Sequence, residues 1–502
     1  MQLLTCNDFQ SFQNTLFSLF FFYSKTTALR GLRGRPRVIR VLSNYIAEPL
    51  SYIINLCFVK GEWPDELKYA EIIPIHKSKS KHHSENYRPI SLISNFAKIL
   101  EKVLHKRLLN FIGKCNIVSD KQYGFLKGRG TKDALNFIVD KVLNELDESK
   151  TIAITFLDLA KAFDTVDHKI LLQKLYNYGI RGNAYELMSS YLTGRLQKVR
   201  VNDVTGNFDE VNVGVPQGTV LGPLLFILYV NDLLVNSPEG EIVSFADDTA
   251  LITTGKTWLN VEEKMNSQLN EIADWLALNK LSLIIDKTVF ITFGNYCDSV
   301  PDTMQIAIKN KYVKRVEQGK YLGLILDYRL KWDIHIEQIL KNTKYLVFIF
   351  RKLSKIMQQK TLMIIYYALF HSILSYGIIA WGGAYPTQII LLQRLQYKLL
   401  KIIGKNRSIC EKVPCNIEQQ FALESILHHY ETLSNMFAES TSATRYKSIQ
   451  LPKRTKTVSS KRSYVKAILI FNSLPNEFKT IVNKTRRKKE LKKWIIENVN
   501  VA

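Results

Sequence analysis

The sequence predicts an α+β protein of two to four domains, on three observations. The chain has 502 residues, more than one typical hydrophobic core organises. Its hydrophobic content of 46% and charged content of 23% are those of a folded globular protein. Short apolar runs typical of strands occur beside stretches whose apolar residues recur at three and four, the period of helices. Both kinds of element are therefore expected.

The chain is strongly basic. Its 69 Lys and Arg against 45 Asp and Glu give a formal net charge of +24 and a pI near 9.5. An excess of this size indicates a polyanionic partner, with nucleic acid as the first candidate. The segment 441–493 holds 16 basic residues and two acids, so it is predicted to be a docking surface or a solvated tail.

The first regular elements surround a basic link. Within the segment Asn44–Lys68, a helix is predicted that ends at Gly61 and is followed by Trp63 and Pro64, and a strand is predicted over Ala70–His76. A second strand is predicted over Tyr87–Ser94. The polar, basic residues 77–84 between these strands are typical of a flexible hairpin tip.

A long apolar strand follows an amphipathic helix. The helix is predicted after Thr131, because apolar residues recur at three and four from Leu135 to Leu146. The near-continuous apolar run Ile152–Leu159 predicts a central strand covered on both faces. Asp158 stands at the C-terminal end of this strand, where a charge serves no packing purpose.

The middle of the chain continues the mixed pattern. A helix is predicted over Lys161–Tyr178, a strand over Gln197–Asn202, and a helix that begins at Pro223, since proline favours the first helical turn. Helices are predicted again from Trp332 onward.

A tight hairpin is predicted around a second pair of acids. The apolar segments Val243–Phe245 and Ala250–Ile252 flank the turn symmetrically, so the turn presents Asp247 and Asp248. Adjacent strand residues face opposite ways, and only one of the two can point straight into a site. Asp247 is the predicted principal ligand.

These carboxylates predict a divalent metal site. A charge at the end of an apolar strand needs a partner, and three acidic oxygen donors suit magnesium. Joining a nucleotide to a 3′-hydroxyl uses two ions roughly 3.5–4 Å apart, one for the attacking oxygen and one for the leaving group. The alternative is that the second pair is an ordinary turn, because Asp is common in turns.

Seven sequence boxes occur in a fixed order: Tyr87–Leu92, Gln122–Phe125, Phe156–Asp164, Gly214–Pro223, Phe245–Asp248, Asp286–Thr288 and Tyr321–Gly323. This series resembles the reverse transcriptases of non-LTR retrotransposons, and within them the jockey-type elements of arthropods. The resemblance covers about residues 40–345 and continues more loosely to the C-terminus. Group II intron-type and telomerase-like reverse transcriptases are less similar alternatives.

The resemblance implies a right-hand polymerase. Its parts would be a poorly defined N-terminal segment 1–38, fingers 39–150, a ferredoxin-like palm 151–330 that includes a primer-grip hairpin, a helical thumb 331–410, and a mainly helical basic C-terminal extension 411–502. The implied activity is RNA-directed DNA synthesis. An inactive nucleic-acid-binding remnant of a truncated element copy is the alternative.

The resemblance also implies a catalytic set. Asp158, Asp247 and Asp248 would bind two magnesium ions, with manganese as the alternative ion. Lys287 would donate a proton to the leaving pyrophosphate, and the competing interpretation is a surface lysine. The substrates would be deoxynucleoside triphosphates, an RNA template and a DNA primer or target DNA.

Further residues would bind the substrates. Lys77 and Arg88 would meet triphosphate oxygens, and Phe163 would lie beneath the incoming sugar unless it is a core residue. The remaining candidates are the template and nucleotide contacts Gln217 and Gly218, the primer grip Tyr321, Leu322 and Gly323, and the nucleic-acid contacts Lys484, Arg486, Arg487, Lys488 and Lys489.

The cellular setting follows from the same resemblance. The protein is expected to be made in the cytoplasm and to act in the nucleus, without secretion. The uncharged stretch Thr361–Gln393 is predicted to be a pair of buried helices rather than a membrane span. An endonuclease is expected to be supplied elsewhere in the element or in trans.

Overall fold

The strands and helices form a mixed fold. A computed structural model of the chain describes residues 36–77, 80–236, 240–294, 300–404, 415–439, 448–452 and 462–499. Most of the predicted N-terminal segment 1–38 lies outside these residues. The strands are β1 (Tyr69–His76), β2 (Tyr87–Ile93), β3 (Thr151–Leu157), β4 (Arg195–Val201), β5 (Val204–Thr205), β6 (Asp209–Val211), β7 (Glu241–Phe245), β8 (Asp248–Gly255), β9 (Val289–Phe293), β10 (Ala307–Ile308), β11 (Lys311–Tyr312), β12 (Lys314–Arg315), β13 (Gln318–Tyr321) and β14 (Leu324–Asp327).

The helices lie before, between and after these strands. They are Pro36–Val41, Ser43–Lys60, Asn95–Lys114, Thr131–Asp147, His168–Asn177, Asn183–Leu192, Gly222–Val235, Trp258–Leu278, Asp333–Thr343, Leu346–Leu353, Gln359–Tyr366, Ser372–Ser375, Ile378–Trp381, Pro386–Ile403, Ile417–Glu439, Ser463–Ser473, Asn476–Lys479 and Lys484–Asn498. A π-helical segment spans Tyr367–His371, and 3-10 turns span Asp65–Leu67, Ser84–Asn86 and Ile285–Lys287. The predicted mixture of helices and strands is confirmed.

Contacts divide the chain into two compact units, each built from separate stretches. The first unit contains the chain up to Phe125, together with Leu159–Ser237 and Glu271–Ile284. The second contains Leu126–Asp158, Pro238–Asn270 and the chain from Ile285 onward. Each unit therefore combines stretches that lie far apart in the sequence.

A sheet in the first unit carries the predicted hairpin tip. Its strand order is β2-β1-β4-β5, with β6 paired to β4. β1 runs antiparallel to β2, so the two predicted strands form the expected pair. β4 lies on the other side of β1 in the parallel direction, with Tyr69 beside Leu196. The sequence predicts the β4 strand itself but not this long-range partner.

The Gly222–Val235 helix forms a core of the first unit. Pro223 lies in its first turn, as predicted, and nearly all of its side chains are buried. A helix that is apolar all round is expected to be buried all round. The Ser43–Lys60 helix, also in this unit, ends where predicted, at Gly61, whose φ of 72° lies in the left-handed region.

The predicted helix Lys161–Tyr178 is wrong over its first part. Lys161 has a φ of 45°, and the chain turns until the helix begins at His168. Asp167 explains this start, because its carboxylate accepts a hydrogen bond from the backbone N–H of Ile170 at 3.0 Å. The apolar period of the sequence does not reveal this capping residue.

The main sheet of the second unit has the strand order β12-β9-β3-β8-β7. β3 is its central strand, as predicted, and runs antiparallel to both neighbours. Its side chains from Ile152 to Leu157 are buried, and the Thr131–Asp147 helix packs against it. The apolar run of this strand therefore places Asp158 at the end of the sheet.

The second unit also contains two two-stranded sheets, β10-β11 and β13-β14, and a series of helices. The uncharged stretch Thr361–Gln393 lies in two long helical runs, as predicted, with one short helix between them. The first run is continuous from Gln359 to Ser375 and includes the π-helical segment, the short helix Ile378–Trp381 follows a break at Gly377, whose φ is 61°, and the second run begins at Pro386. The first run is only partly buried, since Ile364 and Leu369 are exposed. In the described part of the chain, no helix is both long and apolar enough to cross a membrane. The Ile417–Glu439, Ser463–Ser473 and Lys484–Asn498 helices bury one shared apolar core.

Candidate active site

Three predicted carboxylates lie at one edge of the main sheet of the second unit. Leu157, the last residue of β3, pairs with Thr249 of β8, and Asp158 follows directly. Phe245 pairs with Asp248 across the two-residue turn between β7 and β8, which contains Asp247. This register therefore brings the end of β3 beside the turn that presents both acids. We call β7, this turn and β8 the acidic hairpin.

The turn of the acidic hairpin has a fixed conformation. Ala246, its first residue, is buried and has a φ of 59°. A positive φ at this position is typical of hairpin turns of type II′, and a residue with a side chain tolerates it only where its surroundings enforce it. The buried Ser244 hydroxyl donates to the Ala246 carbonyl at 2.7 Å and lies 3.2 Å from the Thr249 hydroxyl. The direction of the following Asp247 is therefore constrained.

Lys287 lies beside Asp158. It ends the 3-10 turn before β9, and its Nζ is 3.4 Å from Asp158 Oδ2. The Lys287 side chain is 56% exposed and that of Asp158 44% exposed, so this ion pair adds little stability. The contact shows that the ammonium group reaches the carboxylate edge, which a proton donor at this site must do.

The carboxylate edge offers hard oxygen donors, the ligands that magnesium prefers. Asp247 and Asp248 are exposed, and Asp158 is half-buried. Within the described ranges, no group of three or more His, Cys, Asp or Glu side chains is arranged closely enough to hold a metal ion. The three carboxylates therefore share a sheet edge and have the donor chemistry for the predicted ion, but they are not gathered into a metal site, and the metal assignment stays a prediction.

In the first unit, a loop before the Gly222–Val235 helix is fastened to the chain after Asp158. The Val215 N–H donates to the Phe163 carbonyl at 2.8 Å, and the Gly214 N–H donates to the Val166 carbonyl at 2.8 Å. Gly214 has a φ of 87°, and a Cβ there would lie 2.8 Å from a backbone oxygen. Only glycine fits this approach. We call residues 214–221 the glycine loop.

Gln217 is held at both its side chain and its backbone. Its Nε2 donates to Asp164 Oδ1 at 2.8 Å, and its carbonyl accepts from the Ser91 N–H at 2.7 Å. Gly218 has a φ of 101°, and a Cβ there would lie 3.2 Å from the Ser91 carbonyl. The two predicted contact residues are therefore fixed on β2, the strand that also carries Arg88.

Asp164 accepts the hydrogen bond from Gln217, and the sequence did not predict this contact. Burial raises the pKa of its carboxyl, and the Gln217 hydrogen bond and the Lys161 charge oppose this. The only sequence signal is that Asp164 is the second acid of the box that contains Asp158. Its partner lies 53 positions away, a distance that no local pattern spans.

Phe163 packs against the core of the first unit. Its ring stacks on Phe226 of the Gly222–Val235 helix, with centroids 4.5 Å apart, and meets Phe125 edge-on at 6.4 Å. The side chain nevertheless remains partly exposed. The ring is thus anchored by the core and still accessible.

Lys77 directly follows β1, and Arg88 lies in its partner strand β2. The Lys77 N–H donates to the Asn86 carbonyl at 2.8 Å, and Arg88 pairs with Ile75. Both side chains are exposed. They are accessible to a polyanionic ligand such as a triphosphate.

The predicted primer grip is a tight hairpin between β13 and β14 in the second unit. Leu322 and Gly323 form its turn with φ values of 43° and 88°, which are typical of a type I′ turn. The Tyr376 hydroxyl donates to the Leu322 carbonyl at 2.6 Å. Tyr321 is buried against Phe156 of β3, with ring centroids 5.2 Å apart. This ring therefore fixes the hairpin on β3, and the turn residues are more exposed than Tyr321.

The C-terminal basic cluster divides into two parts. Lys484, Arg486, Lys488 and Lys489 are exposed, and we call them the basic face. Arg487 is buried in the same helix, with its guanidinium 3.9 Å from the centroid of the Tyr430 ring and bonded to Glu431 at 2.8 Å. It also donates to the carbonyls of Ile481 and Val482. The prediction that Arg487 contacts nucleic acid is therefore revised, because its donors are used within the core.

Comparison with known families gives a direct match. The family described as Reverse transcriptase (RNA-dependent DNA polymerase) matches residues 75–326, half of the chain. The matched range contains β2 to β13, the last two residues of β1 and β14 without Asp327, and with them the acidic hairpin and the glycine loop.

Similar proteins come from mobile elements. The RNA-directed DNA polymerase from mobile element jockey of Drosophila melanogaster is 29% identical over 383 residues, which cover 73% of this chain and 41% of that protein. The probable RNA-directed DNA polymerase from transposon BS of the same species is 28% identical, covering 72% of this chain and 40% of that protein. The chain thus spans about two fifths of the length of these relatives.

Among solved structures, the chain is similar to telomerase from Candida albicans in complex with a fragment of telomeric RNA. That likeness has a TM-score of 0.42 at 13% identity and covers 79% of this chain and 69% of the other. Apo telomerase from Candida tropicalis gives a TM-score of 0.42 at 14% identity, covering 78% of this chain and 64% of the other.

Proposed function

We propose that this chain, which belongs to the reverse transcriptase (RNA-dependent DNA polymerase) family, is the RNA-directed DNA polymerase of a jockey-like non-LTR retrotransposon. One observation carries the proposal. The register of β3, β7 and β8 brings Asp158 to the turn that presents Asp247 and Asp248, within the range that matches the family. The strand ends thereby supply the carboxylates that nucleotidyl transfer needs.

Asp158, Asp247 and Asp248 would hold two magnesium ions, or manganese in their place. Bound there, the ions would supply activation of a 3′-hydroxyl and stabilisation of the departing pyrophosphate. Lys287 holds a proton at Nζ beside Asp158, so it is suited to protonate the pyrophosphate.

The first unit would bind the incoming deoxynucleoside triphosphate. Lys77 and Arg88 would contact its phosphates, and the anchored ring of Phe163 would exclude a 2′-hydroxyl. Gln217 and Gly218 would contact the template base and the nucleotide from the fastened glycine loop. Two observations support these roles. The side chains of Lys77 and Arg88 are exposed, and the backbone of the glycine loop is held in place by hydrogen bonds.

The finer fold assignment is part of the proposal. Residues 39–150 would be the fingers, 151–330 a ferredoxin-like palm, 331–410 the thumb and 411–502 a basic extension. The Tyr321–Gly323 hairpin would grip the primer end through its turn. The basic face would bind the phosphates of RNA template or target DNA. The protein would act in the nucleus, with an endonuclease from elsewhere in the element or in trans.

Primer extension tests the proposal. The full chain is incubated with magnesium, deoxynucleoside triphosphates and a DNA primer annealed to an RNA template, beside an Asp247→Ala control. Template-dependent extension by the parent and none by the control is the expected result. A folded parent that binds the hybrid without extending the primer would overturn the proposal in favour of an inactive remnant.

A further inference from the structure

A carboxylate is sealed inside the first unit near the glycine loop. Glu101 lies in the Asn95–Lys114 helix and has no exposed surface. Removing a charged carboxylate from water is costly unless donors surround it. The hydrogen-bond donors around Glu101 therefore indicate the role of its carboxylate.

Two of these partners belong to the end of the glycine loop. The Val220 N–H donates to Glu101 Oε2 at 2.7 Å, and the Leu221 N–H also stabilises the carboxylate. Both amides lie just before the first turn of the Gly222–Val235 helix, where backbone donors lack partners within the helix. The positive end of the helix dipole also favours a negative charge at this place.

The other partners hold Glu101 from the opposite side. The Tyr191 hydroxyl donates to Oε1 at 2.9 Å, and the Arg195 charge favours the ionised form. Arg195 is itself buried and donates to the Tyr191 carbonyl at 3.2 Å. Burial raises the pKa of Glu101, and these donors oppose that shift. The carboxylate is thus the centre of a small network with one arm on the loop.

The loop has few other anchors at this end. The Thr219 hydroxyl donates to the Pro216 carbonyl at 2.8 Å and accepts from the Gly222 N–H at 3.1 Å, and the Thr219 side chain also contacts the Tyr191 hydroxyl. Gln217 is held at the other end, through Asp164 and Ser91. Glu101 and Tyr191 are therefore long-range anchors of the segment after Gly218, and Glu101 is the one that accepts from the backbone amides of Val220 and Leu221.

We propose that Glu101 is a positioning residue for nucleotide binding, which fixes the glycine loop through the amides of Val220 and Leu221. Only the expected effect on nucleotide binding rests on the proposed function. Glu101 does not touch a substrate, and its effect is transmitted through Gly218 and Gln217. A small displacement of these residues weakens binding of the incoming nucleotide, because both approach it through fixed backbone.

Hydrogen exchange of the loop amides tests the tether without requiring activity. Glu101→Met keeps the size of the side chain but removes both acceptor oxygens. Loss of a charge-assisted bond should speed exchange at Val220 and Leu221 on the order of tenfold to a hundredfold. Glu101→Gln should largely restore protection, since its amide oxygen accepts from Val220 while its NH2 group donates to the Tyr191 oxygen.

Tyr191→Phe is the matched control. It removes the 2.9 Å bond to the same carboxylate and the contact with Thr219, but leaves the bond from Val220 in place. Exchange at Val220 and Leu221 should therefore stay close to parental in this variant. If Glu101→Met does not fold, Glu101→Asp provides the same test, because its shorter side chain cannot reach the loop amide. Unchanged loop exchange, or an equal increase throughout the first unit, would overturn the proposal.

The kinetic readout separates the tether from a merely structural carboxylate. Glu101→Met should raise the KM for the nucleotide on the order of tenfold, with kcat and hybrid affinity changed much less. A parental KM in a variant with a loosened loop would overturn the positioning role. If the parent chain does not extend a primer, the proposed function fails, and the exchange data still decide whether Glu101 holds the loop.

Discussion

Replacing Phe163 with alanine should relax sugar selection and also weaken the first unit. The ring makes two aromatic contacts, with Phe226 and Phe125, and each such pair contributes roughly 0.5–1.5 kcal/mol beyond its buried area. Phe163 is only partly buried, so its loss costs less than the roughly 3–5 kcal/mol of a fully buried phenylalanine. We expect the free energy of unfolding to fall by about 2–3 kcal/mol.

A control variant separates packing from selection. Phe226→Leu removes the same stacked contact from the other side, and Phe226 is fully buried. The assay measures kcat/KM for ribo- and deoxynucleotides opposite one template base. Phe163→Ala should raise relative ribonucleotide use by about tenfold or more, which corresponds to about 1.4 kcal/mol of lost discrimination.

Two results would refute this reasoning. If both variants lose stability and neither gains ribonucleotide use, Phe163 is a core residue without a role in selection. If both gain ribonucleotide use equally, the effect comes from a loosened core rather than from the volume of the Phe163 ring.

Three further outcomes are expected. Asp158→Ala or Asp247→Ala should lower primer extension on the order of 10³-fold or more while folding persists, and more than a tenth of parental activity would contradict the metal assignment. Changing the four residues of the basic face to Ser should reduce the slope of log affinity against log salt by up to about 0.7–0.9 per lost contact. Arg487→Ser should instead unfold the C-terminal helices, and the protein that remains folded should keep the parental slope. Burial lowers the pKa of His335 to about 4, so its stabilising effect is complete above its ordinary pKa of 6.5 and disappears as the pH falls toward 4. Between pH 7 and 4, the melting temperature should therefore fall less in His335→Gln than in the parent. An equal fall in both proteins would contradict this.

Local patterns predicted the elements that carry the carboxylates. The apolar run before Asp158 and the symmetric flanks of Asp247 each have a period that identifies a strand, and a two-residue turn between strands leaves little choice of register. Two helix termini were predicted from equally local features. Pro223 marks a helix start because proline lacks an N–H, and Gly61 marks a helix end because glycine adopts a left-handed backbone.

Contacts between distant residues were not predictable in this way. Nothing near Gln217 indicates that its amide bonds Asp164, and nothing near Glu101 indicates that its carboxylate holds Val220. Arg487 shows the same limit within a charge run, because five neighbouring cations look alike in sequence while only one of them faces a Tyr ring. These features depend on tertiary packing, which determines which side chains lose water.

The interleaving of the two units constrains how the chain can fold during synthesis. The first unit needs Glu271–Ile284, and the central strand β3 of the second pairs with β8 and β9, which are translated roughly a hundred residues later. Pairing across such separations is slow, since the closing of a long loop precedes any gain from contacts. The nascent chain must therefore keep the apolar β3 segment exposed, or held by a chaperone, until translation passes Phe293. Cutting the gene at any single point before Ile284 would leave both units unfinished.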